Sequence, residues 1–429
     1  MTTAAPQRLS ADFWKFWAGQ TISNLGTSVT TFALPLLVYK LTGSALNLGL
    51  TLALGMLPNL FFGLFIGAWV DRVDRKRLMI AVDLLQMLFI GSIPLVALFG
   101  PIPIWWVYVV VFAMGLLTVF FQAAEFAAIP SLVPNNDLVT ANGRIQASYS
   151  AAMVVGPLLG GLLVALIPVE DLLLINVVTF AISAALLSAI RRRFNAAAPP
   201  RSGSILADIG EGLRYVWQHP VLRNISLMMC LVNLVGTTVH AQLVLFVSER
   251  YGASESQVGL FYSAGSAGVV VMSLAAGMLR NRFGFSKVAL GALMLSGLLT
   301  IALALTPWYW LGVGLWALFM GLGIMFNINT GSLRQAIVPS HILGRVMSVA
   351  MVIAWSANPV GALAGGWLIE RTGSVALIYG AIGVITFLIP LAFSFTALGR
   401  AEQYIPAAAP ADEQLTVKPV QEDHAVAGA

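Results

Sequence analysis

GAWVDRVDRKR, residues 67–77, ends one long apolar run and opens the next; GMLRNRFGFSK, residues 277–287, does so again about 210 residues later. In both, a glycine closes the run, and Asp71 or Asn281, followed by Arg72 or Arg282, stands at the same offset. A charged loop repeated between hydrophobic stretches marks two related membrane halves with the working site between them.

Working outward, 59% of the 429 residues are hydrophobic and 10% charged, against about 25% charged in an ordinary soluble domain. Each span needs about 20 apolar residues to cross the hydrocarbon core. Twelve such runs start near Phe13, Leu46, Leu78, Ile104, Ala141, Leu172, Val221, Gln257, Val288, Tyr309, Arg345 and Val375. The expected fold is an all-α polytopic membrane protein of twelve helices in two pseudo-symmetric six-helix halves. The polar stretch before Phe13 does not suit a cleaved signal peptide, so the first span is expected to stay as an anchor. The single cysteine, Cys230, excludes an intrachain disulfide.

Of the 23 Lys and Arg, all but Lys40, Arg250 and Arg371 fall to one side when the loops are assigned alternately. The positive-inside rule makes that side the cytoplasm, with both termini there and the chain in the cell membrane. The net charge of +5 then needs no nucleic-acid partner. The expected division is a cytoplasmic N-terminus (1–12), a six-helix half (13–190), a cytoplasmic linker (191–220), a second half (221–398) and a disordered tail (399–429). Within the linker, Ile205, Ile209, Leu213, Val216 and Trp217 recur at helical spacing, predicting an amphipathic surface helix. The tail lacks apolar periodicity.

Further echoes support two parallel repeats. IPSLVPNNDLVTANGRI (129–145) returns as LRQAIVPSHILGRV (333–346), pairing Pro134 with Pro339 and Arg144 with Arg345. Gly156, Pro157, Gly160 and Gly161 are echoed by Asn358, Pro359, Gly361, Gly365 and Gly366.

These residues resemble the major facilitator superfamily, whose loop between spans two and three carries G-x-x-x-D-R-x-G-R-K/R. Gly67, Asp71, Arg72, Arg75 and Lys76 match it, while Asp74 stands where most members have glycine. WAGQ at Trp17, DRVDRKRLMIAVDLLQ at Asp71 and PSLVP before TAN at Thr140 look like the branch holding macrolide exporters and the enterobactin exporter. The resemblance implies a latch: Asp71 against the N-terminus of the eleventh span, near His341 to Arg345, closing the cytoplasmic side. Such a helix-terminus contact contributes about 0.3–1 kcal/mol when exposed and up to about 2 when partly buried. Arg72, Arg75, Lys76 and Glu125 complete this expected gate, and the Asn281 copy is expected to be weaker. The alternative is that the basic residues only enforce topology.

Ionisable residues inside spans cost about 2.5–3.5 kcal/mol at a helix centre. Glu125 and Asp83 lie near the cytoplasmic ends of spans four and three, and His240 in span seven. Pairing with Arg72 or Arg75 is the first expectation for Glu125, with proton coupling and simple snorkelling as alternatives; Asp83 is expected to be structural and His240 a hydrogen-bonded packing residue, with proton coupling as the alternative for each. The related drug antiporters place an arginine in span four where Met114 stands here, which weakens the antiport reading. GPLLGG, with Gly156, Pro157, Gly160 and Gly161, resembles an exporter pattern whose first glycine is Ala152 here; helix packing alone is the alternative. Gln20, Asn24, Asn233, Asn327, Asn329 and Asn358 are the substrate-cavity candidates, neutral hydrogen-bonding groups among adaptable apolar walls.

No phosphate-binding loop or His/Cys metal cluster occurs, so neither an enzyme nor a cofactor or metal is expected. The resulting expectation is a monomeric secondary transporter in the lipid bilayer exporting amphipathic organic molecules by alternating access, driven by proton antiport. The alternatives are an uncoupled facilitator and a non-transporting receptor or scaffold; short loops argue against the last.

Overall fold

The computed structural model describes residues 9–404, apart from 71, 135–136, 195–204 and 340–341. Asp71, His341 and residues 405–429 therefore lie outside the described residues, as does the Asn281 side chain.

The first half consists of α1 (Ala11–Thr42), α2 (Ala45–Val70), α3 (Arg75–Ala97), α4 (Ile104–Leu132), α5 (Leu138–Leu163) and α6 (Leu173–Ser188). After α7 (Ile205–Gln218) come α8 (Pro220–Ala241), α9 (Leu243–Tyr251), α10 (Glu255–Phe283), α11 (Phe285–Leu305), α12 (Tyr309–Ile337), α13 (Leu343–Trp355), α14 (Asn358–Thr372) and α15 (Val375–Ser394). Eleven stretches of the described residues are long and apolar enough to cross a membrane, and α6 is a shorter apolar helix. The expected span starts fall within three residues of observed helix starts, but spans seven and eleven each consist of two helices, α8 with α9 and α13 with α14.

Local chemistry sets the boundaries. The Ser10 hydroxyl accepts from Phe13 N at the start of α1, and Gly43, at φ 59°, ends that helix in a left-handed conformation glycine adopts freely. Asp74 caps α3 by accepting from Arg77 N at 3.0 Å. This gives the departure from the family glycine a structural reason: an acceptor here satisfies one of the free N–H groups of the helix.

The halves pack α1 against α5 and α6, and α10 and α11 against α12, while α2 meets α14 and α5 meets α10 across the interface. The apolar core has a telling shape. At the end away from the α2–α3 loop, one cluster includes Val29, Phe32 and Val107 of the first half with Phe246, Phe261 and Tyr379 of the second. Toward the loop end it divides, with Phe13, Met79 and Leu132 in one cluster and Leu222, Phe285 and Val346 in another. Burying apolar surface is non-directional and stabilises whatever is joined, so the halves are held together at one end and separately packed at the other.

Helix α7 is amphipathic as expected, but its apolar residues divide. Val216 is fully buried on the second half and Ile209 packs beside it, whereas Leu213 and Trp217 are exposed. Glu211 forms an ion pair with Arg345 of α13, so α7 is fastened to the second half. Order also continues beyond the expected start of the tail at 399. The 3-10 segment Ala397–Tyr404 buries Leu398 and Ala401, and Glu402 accepts from Ser286 N and Oγ, both at 2.7 Å. Burial alone would raise the Glu402 carboxyl, but these hydrogen bonds at the start of α11 hold it below its ordinary range.

Candidate functional site

Spans seven and eleven break beside one another. Gln242 leaves helical geometry between α8 and α9, and Ser356 and Ala357 separate α13 from α14, whose first turn carries Pro359. Proline is tolerated there because the first-turn N–H it lacks would have no helical partner. The loosened backbone is tied by side chains across the gap. Asn233 Nδ2 donates to Ala354 O at 2.8 Å, Thr237 Oγ1 donates to Asn358 Oδ1 at 2.8 Å, and Thr238 Oγ1 donates to Gly361 O at 2.9 Å. Broken spans lining a cavity are where membrane transporters place polar recognition.

A cavity of about 410 Å³ lies against these breaks. Its wall includes Asn233, Thr237 and His240 of α8, Phe319 and Asn327 of α12, and Asn358 of α14; among the described residues, all of it but Leu52 and Met56 of α2 belongs to the second half. The His240 ring sits 5.8 Å from both Trp316 and Phe319, giving the wall an aromatic corner with one hydrogen-bonding edge. Among the cavity candidates, the structure brings together Asn233, Asn327 and Asn358, with His240 beside them. Asn329 is buried and donates to Met325 O at 2.8 Å, while Gln20 is buried in α1 with Nε2 unpartnered and Asn24 is half-buried there; these three do not line the cavity.

Sequence reading missed Thr237, Ser296, Thr300 and Thr386, which also line it. The available signal was the spacing of Ser296 and Thr300, one turn apart on one face of α11. Their protons return to their own helix, Ser296 Oγ to Ala292 O and Thr300 Oγ1 to Ser296 O, both at 2.9 Å. Replacing Asn358 by leucine strands the Thr237 hydroxyl and is expected to cost about 1–3 kcal/mol. Thermal unfolding of the purified variant measures this.

At the loop end, Gly67 falls in the last turns of α2 and Arg72 is exposed. Arg75 is buried, and its Nη1 donates to Ala127 O at 3.1 Å and Phe194 O at 3.2 Å. Lys76 Nζ donates to Ser188 O at 3.0 Å and Ile190 O at 2.6 Å. These contacts lie within the first half: Lys76 binds carbonyls left free at the end of α6, and Arg75 ties α4 to the segment that follows α6. Glu125 is half-buried on α4. Asp83 is 1% exposed, and neither carboxyl oxygen has a hydrogen-bond partner. The unpartnered Ser183 hydroxyl and the Glu125 carboxyl are its electrostatic neighbours.

The opposite end is where the halves touch. A Cβ on Gly161 would stand 2.8 Å from the Gly259 Cα, and one on Gly49 would stand 2.3 Å from Ala362 O. Gly156 and Gly160 serve differently, admitting Ser28 and Phe32 of α1 within the first half. Polar contacts reinforce the seam: Lys40 Nζ lies 2.5 Å from Glu255 Oε1, Glu370 accepts from the Ser44 hydroxyl and from Leu46 N, and Gln242 Nε2 donates to Ala45 O at 2.7 Å. Glu370 thus lies on the N-terminus of α2, where the helix field favours an anion.

Residues 1–426 match the profile of the transmembrane secretion effectors. The multidrug efflux pump Tap of Mycolicibacterium fortuitum is 28% identical over 391 residues, covering 85% of this chain and 92% of that protein. Macrolide efflux protein A of Streptococcus pyogenes is 26% identical over 365 residues, covering 84% and 90%. Among solved structures, a bacterial homologue of the human lysosomal transporter Spinster, inward-facing and unoccupied, superposes with a TM-score of 0.73 at 15% identity, covering 95% of this chain and all of that one. The nucleoside transporter NupG superposes at 0.72 with 12% identity, covering 91% of this chain and all of that one. A repeated loop, two six-span halves meeting at one end and a profile match along nearly the whole sequence converge: the chain belongs to the transmembrane secretion effector family of major facilitator transporters.

Proposed function

We propose that this protein exports amphipathic organic molecules from the cytoplasm by alternating access, acting as a monomer with both termini and the α2–α3 loop on the cytoplasmic side. The observation that carries the reading is the position of the cavity: it lies beside the broken spans, with the joined core and glycine seam at the far end. Cargo then enters from the loop end and leaves after the seam parts, as two rigid halves rock about the cavity. The efflux pumps among the relatives support outward transport, and the apolar wall with a few neutral polar groups suits amphipathic cargo.

Proton exchange supplies the drive in this reading. Asp83 and Glu125 form an acidic site within the first half, and rocking changes its access to water. The membrane potential contributes about 2.3 kcal/mol per charge per 100 mV. In proteoliposomes, a pH gradient is expected to accelerate efflux of an uncharged amphipathic dye, with the acceleration lost in Glu125→Gln while downhill flux persists. Equal wild-type flux with and without the gradient would eliminate antiport and leave a downhill facilitator.

A further inference from the structure

Arg334 stands seven residues beyond Asn327 and fourteen beyond Met320 on α12, both on the cavity wall. That spacing keeps all three on one helical stripe, with Arg334 about 10 Å nearer the loop end than Asn327. The residue is 4% exposed. Its Nη2 lies 3.3 Å from the Met229 sulfur, Nε has no partner, and no carboxylate pairs with it among the described residues.

A guanidinium removed from water is ordinarily bound by a carboxylate, a phosphate or several carbonyls. A thioether is a weak acceptor and does not replace those bonds. The C-terminus of α12 offers a favourable field in this last turn, but a dipole end is only part of a counter-charge. Met229 is itself a wall residue of the cavity, and its unbranched side chain adopts many shapes. Arg334 therefore lies one flexible side chain behind the cavity surface.

We propose that Arg334 is an anion-binding subsite at the loop end of the cavity, covered by Met229, and that it selects amphipathic cargo bearing a carboxylate, sulfonate or phosphate. The inference rests on the transport reading and names its substrate class. The acidic group displaces the Met229 sulfur and takes a paired hydrogen bond from the guanidinium. The apolar body of the cargo extends toward Phe319 and the aromatic corner at His240. The same positive group disfavours a cationic head at that position.

Fluorescent 1-pyrenebutyrate, its methyl ester and a pyrenyl trimethylammonium analogue test this on the full chain in phosphatidylcholine nanodiscs. The acid should bind about tenfold more tightly than the ester, the worth of one charge-assisted hydrogen bond, and the cation more weakly than the ester. Arg334→Gln should remove that preference, Arg334→Lys should keep part of it, and Met229→Ala should enlarge it by uncovering the guanidinium. Equal affinities of acid and ester in the wild type, or an unchanged ratio in Arg334→Gln, overturns the subsite while pyrene binding itself leaves the exporter reading standing. Absence of binding by all three probes overturns the subsite, while the exporter reading is decided separately by the proteoliposome flux. Should Arg334→Gln not purify as a monodisperse protein, Arg334→Lys and Met229→Ala decide the matter: an unchanged ratio in both overturns the subsite.

Discussion

Gly259→Val is expected to reduce transport more than tenfold and to leave the protein held open at the end away from the α2–α3 loop. A Cβ at this position would stand 2.5 Å from the Gly161 Cα and 2.9 Å from Pro157 O. Both are backbone atoms, so no side chain can swing aside. Overpacking of this kind costs about 1–3 kcal/mol. Here the cost falls on the interface between the two halves, so parting the seam relieves it without unfolding either half. A bias of 1–3 kcal/mol shifts a two-state balance by about 5- to 150-fold. Flux in proteoliposomes measures the loss; maleimide labelling of a cysteine at Asn327, in a Cys230→Ser background, reports which side reaches the cavity. Labelling from the loop side as fast as in the unsubstituted parent would show that the seam had closed over the valine and would defeat the argument.

Arg75→Ala is expected to destabilise the first half by on the order of 3 kcal/mol, since charge-assisted hydrogen bonds to two buried carbonyls contribute about 1.5–3 kcal/mol each. The loss is that of the two bonds themselves, since Phe194 O keeps the Ser131 hydroxyl as a donor at 2.8 Å. Arg72→Ala, at an exposed position, should be nearly neutral for stability. Thermal unfolding of the two variants in the same detergent separates them, and a shared unfolding temperature would show that Arg75 is not a structural tie. This comparison gives the family loop two tasks within one short stretch. Arg75 and Lys76 fasten the first half internally, and the latch expected of Asp71 is tested separately by Asp71→Asn.

The spans were legible in the sequence because about 20 apolar residues are needed to cross a bilayer and few arrangements of 429 residues satisfy that many times over. The pairing of halves was legible because a duplicated loop keeps its offsets, as Gly67 and Gly277 do. The breaks at Gln242 and Ser356 were not. Gln242 with His240, and Ser356 with Asn358, are single polar interruptions in spans apolar enough overall to be read as continuous, and the hydrogen bonds from Asn233 and Thr238 to Ala354 O and Gly361 O join helices that sequence distance separates. Asn233, Asn327 and Asn358 stood out as polar residues in apolar runs and do line the cavity. Ser296 and Thr300 did not stand out, since small hydroxyls that bond their own helix are common packing residues. Arg334 read as one more cation near a loop, and what sets it apart from the comparably buried Arg75 is that its guanidinium contacts a thioether and not a pair of carbonyls.

The wall of the cavity comes almost wholly from one copy of a duplicated unit, and this divides the evolutionary labour between the copies. In the proposed reading, changes in cargo fall on α8, α10–α12, α14 and α15, whereas the first half must keep its fit to the seam through Gly49 and Gly161 and its acidic site. Hybrids between relatives, joined at the linker, should inherit their cargo range from the parent that donates the second half.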